Sequence, residues 1–120
     1  MRRIIYMILV LGFVQTIWGT PPKILQPQEH SIIKKDSLFV FIEPNPEDIE
    51  AGRYINIEIF DRSEGKNMIT LLLSPDQNYK DSIDISSWSN GKYLLKVIYV
   101  DKKGKHLTKS SWRNFSIIHE

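Results

Sequence analysis

Tyr54-Ile55-Asn56-Ile57-Glu58-Ile59-Phe60-Asp61 carries the clearest structural signal in the chain. Isoleucine recurs at every second position, and Tyr54, Asn56, Glu58 and Phe60 fill the positions between. Side chains on a strand alternate with a period of two, so the isoleucine row faces a core and the other row faces outward. Lys92 to Asp101 repeats the pattern over a longer run. Tyr93, Leu95, Val97 and Tyr99 share one face, and Lys92, Leu94, Lys96, Ile98 and Val100 share the other. The two lysines mark the second row as outer, which assigns the tyrosine row to the core.

Strand-like runs recur at short spacing on both sides of these two. Ile24-Leu25-Gln26 is stopped by Pro27, and Ser37 to Ile42 is closed by Pro44-Asn45-Pro46. Pro46 to Gly52 reads as an acidic loop holding at most one helical turn. Arg62 to Lys66 is a turn in which Gly65 supplies positive φ. Met68 to Leu73 ends at Ser74-Pro75, and Ser82 to Ser86 sets Ile83 and Ile85 inward. Ser89-Asn90-Gly91 is a turn, and Asp101-Lys102-Lys103-Gly104 is a tight hairpin connection. The last strand is expected from about His106 to Ile118. Trp112 and Phe115 lie an odd number of residues apart, so without a bulge they face opposite ways. About seven strands with no convincing helix predict an all-β antiparallel sandwich, in one domain over residues 20–120.

The segment before it has a different character. Residues 1–19 carry Arg2 and Arg3, then an uncharged run from Ile4 to Ile17, then Gly19 ahead of Thr20-Pro21-Pro22. This is the order of an export signal, cut between Gly19 and Thr20. The run is short of the roughly 20 apolar residues that a membrane helix needs. The alternative is an uncleaved anchor formed by residues 4–17, the one route to a membrane. Export to the periplasm, the cell surface or the medium is the expectation. The chain has no cysteine, so neither a disulfide framework nor a lipidated cysteine is available.

Lysine and arginine total 16 against 14 aspartates and glutamates. Removing Arg2 and Arg3 leaves the two signs equal, which argues against nucleic-acid binding. Acidic residues concentrate between Glu43 and Glu64, and basic ones between Lys92 and Arg113. Two solvated surfaces that attract each other on folding are the ordinary explanation. A basic face for an acidic partner is the functional one.

Gly91-Lys92-Tyr93-Leu94-Leu95-Lys96-Val97, followed by Asp101-Lys102-Lys103-Gly104, resembles the later strands of fibronectin type III and other immunoglobulin-like modules. Bacterial versions are the nearest in character: a tyrosine-rich module that follows β-propellers in sensor regions, and the C-terminal immunoglobulin-like tail of surface proteins. The resemblance implies that the Tyr93 hydroxyl bonds back to nearby backbone as a tyrosine corner. The sequence departs from the family at two places. Fibronectin modules often place a leucine six residues before the tyrosine; here that position is Ser87, and Trp88 stands one later. The family's buried tryptophan on the second strand is missing, and Phe39 or Phe41 is expected to fill its space.

No catalytic set is visible. His30, His106 and His119 are scattered and lie in no motif, and Asp81 and Asp84 point to opposite faces of a strand. Asp76, Asn78 and Asp81 could line a calcium loop, though an ordinary Asp/Asn-rich turn explains them as well. The chain is therefore expected to be no enzyme, with no metal and no cofactor. Its outer sheet face would carry Tyr54, Phe60, Leu94, Lys96, Ile98 and Trp112, an apolar patch suited to a protein partner or a second copy. A second expectation is glycan binding, with Trp88, Tyr99 or Trp112 stacking on sugar rings. A small exported enzyme or inhibitor is the third.

Overall fold

A computed structural model of the chain describes residues 20–119, and the expected export segment, residues 1–19, lies outside them. Two sheets face each other. The smaller contains β1 (Lys23–Gln26), β3 (Ser37–Glu43) and β6 (Lys80–Asp84), in the order β1-β3-β6. The larger contains β2 (Ser31–Ile33), β4 (Tyr54–Asp61), β5 (Lys66–Leu73), β7 (Gly91–Val100) and β8 (Ser111–Ile117), in the order β2-β8-β7-β4-β5. One helical turn, α1 (Pro46–Glu50), connects β3 to β4, and a 3-10 turn, Pro75–Gln77, connects β5 to β6.

The alternating rows pack as their period requires. Leu38, Val40 and Ile42 of β3 are fully buried against Ile55, Ile57 and Ile59 of β4 and Leu95 and Val97 of β7. At roughly 1.5–3 kcal/mol for each large aliphatic side chain taken from water, these rows supply most of the drive to close the sandwich. Polar groups on β8 tie the sheets at one margin. Arg113 donates to the Ile24 carbonyl and Ser111 to the Pro22 carbonyl.

Three expectations are corrected. Among the described residues the sheets hold eight strands against the expected seven or so, because Ser31–Ile33 pairs in parallel with β8. Three residues are too few to display a period. The final strand starts at Ser111, not His106. The Asp101 side chain takes the backbone N–H groups of Lys103 and Lys105, each at 2.9 Å, and Leu107 donates to the Tyr99 carbonyl. That local bonding holds the connection in a loop, apart from a single bridge between Val100 and His106. Finally, Phe39 and Phe41 do not fill the space of a missing tryptophan. They fall on the outward row of β3, with Phe39 exposed. Trp88 enters the core instead and stacks on Tyr93 with centroids 5.5 Å apart; Tyr93 stacks in turn on Phe115 at 5.7 Å.

Candidate interaction surface

The outer face of the five-stranded sheet is built from the polar-side rows of β4, β7 and β8. The register sets Phe60 opposite Leu94 and Leu94 opposite Asn114. One step along, Glu58 faces Lys96 and Lys96 faces Trp112. Beyond that, Asn56 faces Ile98 and Tyr54 faces Val100. All six residues expected on this face therefore share it.

They are not equally accessible. Trp112 is 48% exposed, whereas Tyr54, Phe60, Leu94 and Lys96 are half-buried. Ile98 is only 5% exposed and stands outside the main core cluster, so it is covered and presents little to a partner. The strand β5 adds Leu72, opposite Asn56 and 54% exposed. The sequence signal for it lies in Leu71-Leu72-Leu73, where alternation must turn the middle leucine out.

Electrostatics on this face are local. The Lys96 ammonium lies 5.3 Å from the centre of the Trp112 ring, within cation–π range. Its cross-strand neighbour on the other side is Glu58, which accepts from the Asn56 amide at 3.2 Å. The patch thus combines an exposed indole and leucine, half-buried aliphatic and phenyl groups, and one charge of each sign.

Two of the three stacking candidates are in the core. Tyr99 is fully buried and Trp88 is 9% exposed, so neither has a face free for a sugar ring. The Tyr99 hydroxyl accepts the Asn45 backbone N–H at 2.8 Å. Burial, reinforced by nearby Asp48, pushes its pKa up to about 12 against the opposing Asn45 hydrogen bond. The Tyr93 hydroxyl donates to the Ser89 carbonyl at 2.6 Å, the geometry of a tyrosine corner.

Several other polar groups are bonded within the fold. Asp48 is buried and pairs with Arg53 at 2.7 Å, and the Arg53 carbonyl accepts from Tyr79 at 2.8 Å. His119 Nε2 meets the Trp88 carbonyl at 2.7 Å, while its backbone N–H donates to Asn90. His30 and His106 lie elsewhere, and His30 is largely exposed. Asp76 stands on the 3-10 turn, and Asp81 accepts from the Ser82 backbone. Among the described residues no three His, Cys, Asp or Glu side chains converge as metal ligands. A groove of about 350 Å³ opens between Pro27, Ile32, Lys35, Leu38 and Phe39, with the polar Gln26 and Ser37 also in its lining. No helix of the described residues is long and apolar enough to cross a membrane.

Residues 39–110 match the family described as the secretion system C-terminal sorting domain. The match runs from within β3 to the end of the loop that precedes β8. No curated protein matches the sequence. Among solved structures, the crystal structure of CopC from Methylosinus trichosporium OB3b is similar with a TM-score of 0.52. The alignment covers 82% of this chain and 95% of that one at 14% identity, a likeness of fold alone.

Proposed function

The chain belongs to the family of secretion system C-terminal sorting domains, and from that premise we propose that it is a non-catalytic, immunoglobulin-like module of an exported protein, read by protein contact. The contact surface is the outer face of the five-stranded sheet. The observation that carries this reading is the row in which Lys96 sits between Glu58 and Trp112, flanked by Phe60 and Leu94. Exposed aromatic and aliphatic groups rimmed by charge are what a protein interface uses at its centre. The partner is a protein of the export route or of the envelope.

An immunoglobulin-like description is supported by the three-plus-five sheet order and by the Tyr93 hydroxyl bond to Ser89. Glycan binding is the weaker reading. Trp112 is the one exposed ring of its three candidates, and the Lys96 ammonium already lies over that ring.

The test is export of the full chain carrying Leu94→Ser and Trp112→Ser. Both sites lie outside the core cluster, so the double variant keeps its circular dichroism spectrum and cooperative melting. Delivery to the cell surface or medium should fall severalfold while the chain accumulates inside. Normal delivery of the folded double variant overturns the assignment of this face.

A further inference from the structure

A sheet edge offers a row of unpaired backbone N–H and C=O groups, and proteins blunt such edges with brevity, charge or proline. Among the described residues, three of the four edges are treated that way. β1 has 4 residues and runs into Pro27, and β2 has 3 residues and is followed by Lys34-Lys35. β6 has 5 residues, of which Lys80, Asp81 and Asp84 are charged. The fourth edge, β5, has 8 residues and carries no charge and no proline from Asn67 to Leu73.

One irregularity limits it. Ile59 pairs with Ile69 and Phe60 with Asn67, so Met68 is an extra residue on β5. Regular pairing with β4 then runs without interruption from residue 69 to residue 73. Over that span Ile69 and Leu71 face inward yet remain half-buried, because no further strand of the described residues flanks them, and Thr70 and Leu72 are exposed on the outer face.

We propose that this edge pairs antiparallel with β5 of a second copy of the chain. An edge accepts only an extended segment, and this one asks for an uncharged segment with apolar groups on the inward row. β5 itself meets both conditions. A two-fold axis normal to the sheet keeps each row on its own face, so the register must place inward residues opposite inward residues. Centred on Leu71, it sets Leu71 opposite the partner's Leu71 and Ile69 opposite the partner's Leu73. Thr70 then faces the partner's Leu72. Lys66 points past the end of the partner's strand, toward the turn that carries the partner's Asp76, a residue of opposite charge. The joined sheet would have ten strands, about the upper end for a twisted open sheet.

Sedimentation equilibrium of the purified protein, at concentrations up to about 1 mM, tests this with two double variants. T70K/L72K places lysine opposite lysine twice across the axis. T70K/L72E places lysine opposite glutamate twice. Cross-strand pairs of like charge repel and those of opposite charge attract, so dimerisation should be at least about tenfold weaker in the first than in the second. The unaltered chain should dimerise too. Both positions are exposed, so the monomer fold tolerates either change, as circular dichroism would show. A chain that stays monomeric throughout the range overturns the proposal, as does equal association of both variants.

Discussion

Tyr93 donates its hydroxyl hydrogen to the carbonyl of Ser89, four residues earlier, at 2.6 Å. The ring is fully buried between Trp88 and Phe115, so this bond ties the β6–β7 turn to the centre of the core. Tyr93→Phe keeps the stacking and strands the Ser89 carbonyl. A lost intramolecular hydrogen bond of this kind costs about 1 kcal/mol. The expected result is a fall in Tm of about 4–8 °C for a domain of this size, with the spectrum of the folded state unchanged. Calorimetry of the two proteins checks it.

Asp48 and Arg53 make the second prediction. The carboxylate is buried on α1, and Arg53, just ahead of β4, meets it at 2.7 Å, with Asn45 donating to the other oxygen at 3.2 Å. Arg53→Met removes the partner and leaves the charge in place. Breaking a buried pair from one side costs several kcal/mol, and the Arg53 side chain is 40% exposed, so the loss is about 1–3 kcal/mol. Asp48→Asn in the same background removes the stranded charge and should recover part of it. Urea unfolding of the single and double variants measures both steps. No recovery in the double variant would show that the cost lies in packing rather than charge.

The rows of β4 and β7 were legible in the sequence because alternation of isoleucine and tyrosine with lysine and glutamate has one solution on a pleated sheet. The shared face of Phe60, Leu94, Lys96 and Trp112 followed from that period and from the odd spacing of Trp112 and Phe115. What escaped was anything set by partners distant in the chain. Ser31–Ile33 is a strand only because β8 lies beside it. Phe39 looked as good a core residue as Leu38, and only the pairing of β3 decides which row turns inward. Ile98 belongs to the outer row by period, yet it is covered, which no local pattern encodes. Trp88, placed in a turn by its neighbours, gained the core because Tyr93 offers it a ring to stack on.

Tyr99 gives a prediction at alkaline pH. Its hydroxyl is buried under α1 and its pKa is raised from 10 to about 12, by burial first and by Asp48 as well. A raised pKa in the folded state means that the folded chain holds the proton more tightly than the unfolded one. The associated stability is complete below the unfolded value near 10 and is lost as pH rises from there through 12. Tyr99→Phe cannot titrate and loses the bond to Asn45. The variant should be less stable at neutral pH by about 1 kcal/mol and show a shallower decline between pH 10 and 12. Parallel slopes in the two proteins would remove Tyr99 from the alkaline transition.

Asp101 acts at the other end of the scale. Its pKa is lowered from 3.8, first by the Lys105 backbone N–H and then by that of Lys103, with the two lysine charges adding to the effect. The folded chain therefore binds this proton less readily than the unfolded chain. Stability contributed by the ionised group is present above the unfolded value and is lost as pH falls through the folded one. Because the carboxylate organises the Asp101–Lys105 turn that leads toward β8, its protonation should loosen residues 101–105 before the core melts. Amide exchange at Lys103 and Lys105 should then speed up as pH drops below about 3.8, beyond the intrinsic dependence of free peptide amides. In Asp101→Asn the two amides should keep a constant, reduced protection across the same range. Protection that falls with pH in the Asn variant as well would assign the acid response to another carboxylate.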